Sequence, residues 1–186
     1  MDQVAIAEYD PAWPILFEQE AQAIRRVLGE RLVGVEHFGS TSVPGLAAKP
    51  IIDILIATRT KEDWPSIIEP LGTIGFSCWL RNTDPTRMFF AKGTPPFDQH
   101  RTHHLIVTDL NGHHWERLTL LRDFFRAHPD EARHYEVFKR ELGERFRDDR
   151  GQYTKAKGPY LDAIENRARE ERKQNSPSPA NPDGNQ

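Results

Sequence analysis

Apolar residues recur along this chain in two rhythms, and the change of rhythm divides it. From 11 to 30, PAWPILFEQEAQAIRRVLGE, the spacing of Ile15, Leu16, Gln19, Ala23, Val27 and Leu28 predicts a helix. Pro14 suits its first turn and Gly29 its end. LVGVEHF (32–38) and IIDILIA (51–57) predict strands, with a short helix at 61–70. GTIGFSCWLR (72–81), TRMFFAKG (86–93) and THHLIVTD (102–109) are three further strand candidates, separated by polar turns that hold Pro and Gly.

Past residue 112 the helical period takes over. Trp115, Leu118, Leu121 or Arg122, and Phe125 mark one helix, which must stop before Pro129 because a residue preceding proline leaves helical space. Pro129 suits the first turn of the next, whose stripe is Ala132, Tyr135, Phe138, Leu142 and Phe146. A third segment runs through Tyr153, Leu161, Ile164 and Ala168, and Gly158-Pro159 either kinks or restarts it. Residues 174–186, QNSPSPANPDGNQ, have the composition of a disordered tail. Strands in the first half and helices in the second predict an α+β fold with a mixed sheet, in a single domain over 1–173.

The composition narrows the function classes. A length of 186 residues suits one domain, and 37% hydrophobic with 28% charged residues gives a core under a polar surface. No apolar run approaches the ~20 residues of a membrane span, and MDQVAIAEYD lacks the basic and apolar regions of a secretory signal. The lone Cys78 excludes an internal disulfide and is compatible with a reducing compartment, so a cytoplasmic location is expected. A net charge of -3 argues against a nucleic-acid-wrapping protein but leaves room for a small basic pocket.

Asp53 breaks the apolar run IIDILI. By alternation Ile51, Asp53 and Leu55 share one face of the strand and Ile52, Ile54 and Ile56 the other, which predicts a central strand covered on both faces. An unpaired carboxylate there would cost several kcal/mol, so it must be neutralised, paired or bound to a metal. Lys49 is four residues away, roughly 13 Å along an extended chain, so the partner has to come from elsewhere: Lys157, Arg87 or Mg²⁺.

The loop before this strand, GSTSVPGLAAK, offers backbone N–H groups and hydroxyls. Gly39 permits close approach of backbone to a ligand. Ser40, Thr41 and Ser42 can cap a short helix whose N-terminus favours an anion. Five residues separate Gly39 from Gly45, and Leu46 stands where a Walker A loop needs lysine, so this is either a phosphate cradle of another kind or an ordinary capped turn.

The string HFGSTSVPGLAAKPIIDILI, continued by RTHHLIV, LRDFFRAHPDEARHYEVFKREL and YTKAKGPYLDAI, resembles the GrpB family, also called UPF0157, over roughly residues 5–168. That family is assigned to the nucleotidyltransferase superfamily of the DNA polymerase β type, and a related domain occurs fused to dephospho-CoA kinase. The resemblance implies a nucleotidyltransferase-like mixed sheet flanked by helices. In that superfamily a Gly-Ser turn holds the triphosphate, here matched by Gly39 and Ser40. Two aspartates in an Asp-x-Asp pattern and a third carboxylate from a later strand hold two Mg²⁺ ions. Asp53 matches the second aspartate and Ile51 stands at the first, so the carboxylate set is incomplete. The family pattern His-Leu-His-Val on THHLIVTD is met by His104, with Ile106 at the second histidine.

The remaining site candidates are Arg87, facing a phosphate, Asp53 or water, and Lys157, four residues after Tyr153 on an apolar face or at the Gly-Pro junction. Lys49 belongs to the phosphate-binding set. Arg122 and Arg126 share a helix face that is either solvated or frames a pocket. His104 reads as a histidine satisfied within its strand rather than a metal ligand, and it joins Gly39, Ser40, Thr41, Ser42, Lys49, Arg87 and Lys157 in the ligand- and phosphate-binding set. His100, His103, His104, His113 and His114 fit no closed zinc template.

Two functions follow. One is a Mg²⁺-dependent enzyme that transfers a nucleotidyl group to a small acceptor, with Asp53 as catalytic residue and metal ligand. The other is a non-catalytic module for a nucleotide, a coenzyme A precursor or another phosphorylated small molecule. A protein–protein helper acting through the helical face ranks behind both.

Overall fold

The computed structural model describes residues 3–79, 84–94, 100–110 and 112–175. Five strands, β1 (Leu32–Phe38), β2 (Ile52–Thr58), β3 (Phe76–Cys78), β4 (Met88–Thr94) and β5 (His100–Asp109), form one sheet in the order β1-β2-β5-β4-β3. β2 and β5 are parallel and the other pairs antiparallel. The expected mixed sheet with flanking helices is therefore present. Of the strand expected over 72–81, only Phe76–Cys78 is extended, and residues 80–81 lie outside the described ones.

The sheet has two apolar faces. Ile52, Ile54, Ile56, Phe90, Leu105 and Val107 make the main core with Trp13, Ile24 and Leu28 of α1 (Trp13–Leu28) and Ile67 and Leu71 of α2 (Trp64–Thr73). Complete burial of Ile54 and Ile56 stabilises the fold by ~1.5–3 kcal/mol each. On the other face Phe38, Leu55 and Ile106 pack with Trp115 and Leu118 of α3 (His113–Ala127). α4 (Pro129–Arg145) and α6 (Gly158–Asn175) join α3 in a helical core of Leu121, Phe124, Phe125, Tyr135 and Ile164. Val4, Leu142 and Tyr153 form a third cluster, with Tyr153 supplied by α5 (Arg150–Ala156).

Three expectations need correction. The α1 stripe is rotated: Trp13, Ala21, Ile24 and Leu28 are buried, whereas Ile15 and Leu16 are 60% and 41% exposed. The helix carries apolar residues on two overlapping faces, and the position of the sheet selects one. α2 starts at Trp64 and runs past Pro70, because Lys61–Asp63 form a 3-10 turn closed by a Thr60–Asp63 capping box. α6 reaches Asn175, two residues into the segment expected to be disordered; 176–186 lie outside the described residues. At Gly158-Pro159 the chain restarts rather than kinks, which leaves Lys157 at the junction of α5 and α6. No helix among the described residues is long and apolar enough to cross a membrane.

Candidate functional site

Parallel pairing of β2 with β5 sets Asp53 directly across from His104. His104 Nδ1 lies 2.9 Å from Asp53 Oδ1, and Arg150 Nη2 lies 2.9 Å from His104 Nε2. A guanidinium only donates, so Nε2 accepts, and Nδ1 carries the proton that it donates to Asp53. Both ring nitrogens are thereby used. His104 is the satisfied strand histidine that was expected, and Asp53 is what satisfies it.

This corrects the premise about Asp53. Its face of β2 is closed over Leu55, which is fully buried, but opens at Asp53, where the carboxylate is 27% exposed. The hydrogen-bonded partner is His104 rather than Lys157 or Arg87. Lys157 acts at longer range: Asp53 holds up the charged form of its amine while burial pushes its pKa down more strongly. Arg87 pairs with Asp84, Nε to Oδ2 at 3.0 Å.

Gly39 is the residue that lets the loop cross Asp53. At φ +71° and ψ −174° it occupies a region that is almost exclusive to glycine, and a Cβ there would stand 2.4 Å from Asp53 Oδ2. The close backbone approach foreseen for a ligand is made to Asp53 itself. Ser40–Ser42 form a single 3-10 turn with no side-chain cap, so no helix N-terminus is presented. The Ser42 hydroxyl donates to Gly39 O at 2.6 Å, and Thr41 Oγ1 lies 3.0 Å from His37 Nε2.

Arg126 holds the turn from behind, donating to Ser42 O at 3.0 and 2.8 Å, and Arg122 donates to His37 O at 3.2 Å and to Glu36. The Arg122–Arg126 face thus braces the loop. Burial drives the His37 pKa down to about 4, so the ring is neutral where it stacks on Phe17, with centroids 4.6 Å apart.

In front of Asp53 lies a cavity of about 360 Å³. Its wall includes Ser40, Thr41, Lys49, Asp53, Arg87 and His104, together with Lys157, all singled out from the sequence. Gly39 and Ser42 are not on it; Ser42 faces a second cavity of about 610 Å³ beside His37 and Arg126. Three further basic residues were not foreseen: Arg101 from β5, Lys139 from α4 and Arg150 from α5. Lys139 could have been found, because it lies four residues after Tyr135 and three before Leu142, on the apolar stripe of α4. Arg101 and Arg150 sit at element starts, where periodicity carries no signal.

Among the described residues six basic side chains therefore line the cavity, and Asp53 is the one carboxylate on its wall. The Nζ atoms of Lys49 and Lys157 lie 4.7 and 4.6 Å from the centre of the Tyr153 ring, which attracts both through its π face. Lys139 is 2% exposed and donates to Ala47 O; burial, and next the charge of Lys157, push its pKa down to about 7. Glu136 accepts from Ala47 N at 3.1 Å, so α4 grips the end of the loop by both polar groups of one residue.

The donor set does not fit a resident Mg²⁺ site. Magnesium takes hard oxygen ligands, usually one or two carboxylates with substrate phosphates. Here the first-aspartate position is the buried Ile51, β5 offers His104 across from Asp53, and cations crowd the wall. Among the described residues no group of three His, Cys, Asp or Glu could hold a metal. The histidines do not converge: His103 lies on the opposite face of β5, 4.0 Å from Glu20, and His114 bonds Asp84. The arrangement is chemically suited to holding phosphoryl oxygens, through point charges on the lysines and forked donors on the arginines.

A protein-family model described as "GrpB protein" matches residues 3–167. A UPF0157 protein of Pseudomonas aeruginosa is 44% identical over 90% of this chain and 68% of its own length. The crystal structure of the conserved protein GrpB from Enterococcus faecalis superposes with a TM-score of 0.82 at 33% identity, covering 90% of this chain and 99% of that one. A dephospho-CoA kinase of Mycolicibacterium paratuberculosis is 26% identical over 85% of this chain, which spans 44% of that protein. The Cid1 poly(U) polymerase aligns at a TM-score of 0.42 and 13% identity over 64% of this chain and 37% of its own, a likeness that carries no functional weight.

Proposed function

The chain belongs to the GrpB family, and from that footing we propose that it binds a phosphorylated small molecule, of the nucleotide or coenzyme A precursor class, in the cavity before Asp53. One observation carries this reading: among the described residues six basic side chains meet one carboxylate around a cavity of about 360 Å³, in a chain of net charge -3. A wall this rich in basic side chains attracts an anion, and phosphoryl oxygens suit its lysines and arginines. The lysines and arginines neutralise the phosphoryl oxygens, while the Asp53–His104–Arg150 chain fixes the floor of the pocket.

Binding without catalysis is the better-supported form of the reading. The His104 lone pair is taken up by Arg150, and the one carboxylate that the described residues bring to the wall falls short of the two-metal arrangement used for nucleotidyl transfer. The region like this chain within a dephospho-CoA kinase adds coenzyme A precursors to the compounds worth testing.

The test is thermal stability with a panel of nucleotides, dephospho-coenzyme A, 4′-phosphopantetheine and inorganic phosphate, with Mg²⁺ or with EDTA. A ligand at 100 times its Kd adds ~2.7 kcal/mol. The expected result is a shift that survives EDTA and is lost in Lys157→Met. A shift needing both Mg²⁺ and Asp53 would replace this reading with a metal–nucleotide enzyme, and a folded protein that no compound shifts would overturn it.

A further inference from the structure

Lys139 is an unusual lysine. It is 2% exposed, yet it lies on the cavity wall. Its Nζ donates to a backbone carbonyl, that of Ala47, and among the described residues no carboxylate pairs with it. Lys157, a second amine, shares the wall, and burial with that neighbouring charge favours the neutral amine of Lys139 near neutral pH. A desolvated lysine beside another cation is the arrangement that makes an amine nucleophilic towards carbonyl carbon. The surrounding arginines supply the anchor for an anionic group.

We propose that Lys139 captures phosphorylated aldehydes as an imine, the cavity binding the phosphate and the buried amine taking the carbonyl. The amine lone pair attacks the carbonyl carbon to give a carbinolamine. The C–O bond then breaks as the C=N bond forms, and the carbonyl oxygen leaves as water with the two amine protons. No oxidant, reductant or metal is required. The proposal rests on the phosphate-binding reading and names a substrate class for it.

Pyridoxal 5′-phosphate is the probe, since it joins an aldehyde to a phosphate. The wild-type protein is incubated with it and reduced with borohydride, and the modified residue is mapped by mass spectrometry. Pyridoxal, without the phosphate, and pyridoxine 5′-phosphate, without the aldehyde, are run beside it. Modification is expected at Lys139, about tenfold faster than with pyridoxal, the worth of one charge-assisted hydrogen bond. Pyridoxine 5′-phosphate should raise the Tm and protect the lysine.

Modification spread over exposed lysines such as Lys61 and Lys155, or centred on Lys157, would overturn the assignment. If pyridoxine 5′-phosphate stabilises the protein while borohydride fixes nothing at Lys139, the imine proposal fails alone. If it neither stabilises nor protects, the phosphate reading fails with it. Lys139→Met should abolish trapping; should that variant not fold, mapping on the wild type decides.

Discussion

Replacing Lys139 by methionine should stabilise the protein in acid and cease to do so in alkali. Methionine keeps an unbranched stem that packs where the lysine stem packs. The gap between the ordinary lysine value of 10.5 and about 7 corresponds to about 4 to 5 kcal/mol of penalty on the charged form. The sign follows from proton binding. Between about pH 7 and 10.5 the unfolded chain holds the proton and the folded chain does not, so stability rises with pH through that window. Below it the penalty is felt in full; above it lysine is neutral in both states and the penalty is gone.

Against this stands the Ala47 carbonyl, which loses its donor at a cost of ~1–3 kcal/mol. The groups facing Lys139 besides that carbonyl are the Tyr135 ring, whose centre lies 5.0 Å from Nζ, and Lys157, Glu136, Arg140 and Asp53, and all remain in the variant. Methionine should therefore add about 1 to 4 kcal/mol near pH 6, and by about pH 10 its effect should be neutral or destabilising. Urea unfolding of both proteins at pH 6, 8 and 10 reads the difference. A variant less stable than wild type by the same amount at every pH would refute the claim that burial penalises the ammonium.

Gly39→Ala combines a forbidden backbone region with a Cβ 2.4 Å from Asp53 Oδ2, and denaturant unfolding should show a loss of ~2 kcal/mol or more. His37 should make the fold acid-sensitive. Because its pKa is pushed down to about 4, the unfolded chain takes up the proton first as pH falls from 6.5, and up to about 3 kcal/mol is lost by pH 4. In His37→Gln the pH dependence across that window should flatten, and an unchanged slope would assign it elsewhere. Arg126→Ala removes both bonds to Ser42 O and should cost ~1.5–3 kcal/mol, with faster amide exchange across 40–46.

Much of this protein was legible in its residues. The alternation around Asp53, the strands 32–38 and 51–57, the break at Pro129 and the disturbance at Gly158-Pro159 are local events, set by side-chain period and by proline geometry. The loop 39–42 and the candidates Lys49, Asp53, Arg87, His104 and Lys157 could be picked from residue type, position and family likeness. What they touch could not. Asp53 meets His104 because β2 and β5 are parallel neighbours, a pairing across 51 residues of chain that no local pattern encodes. The α1 stripe turned away from its expected face because two apolar faces overlap on one helix and only the docked sheet chooses between them. Arg101, Lys139 and Arg150 reach one cavity from β5, α4 and α5, so the density of positive charge, on which the functional reading rests, exists only after folding. Short-range sterics decide which elements form; the concentration of charge at the site is a long-range property, set when distant segments are brought within reach of one anion.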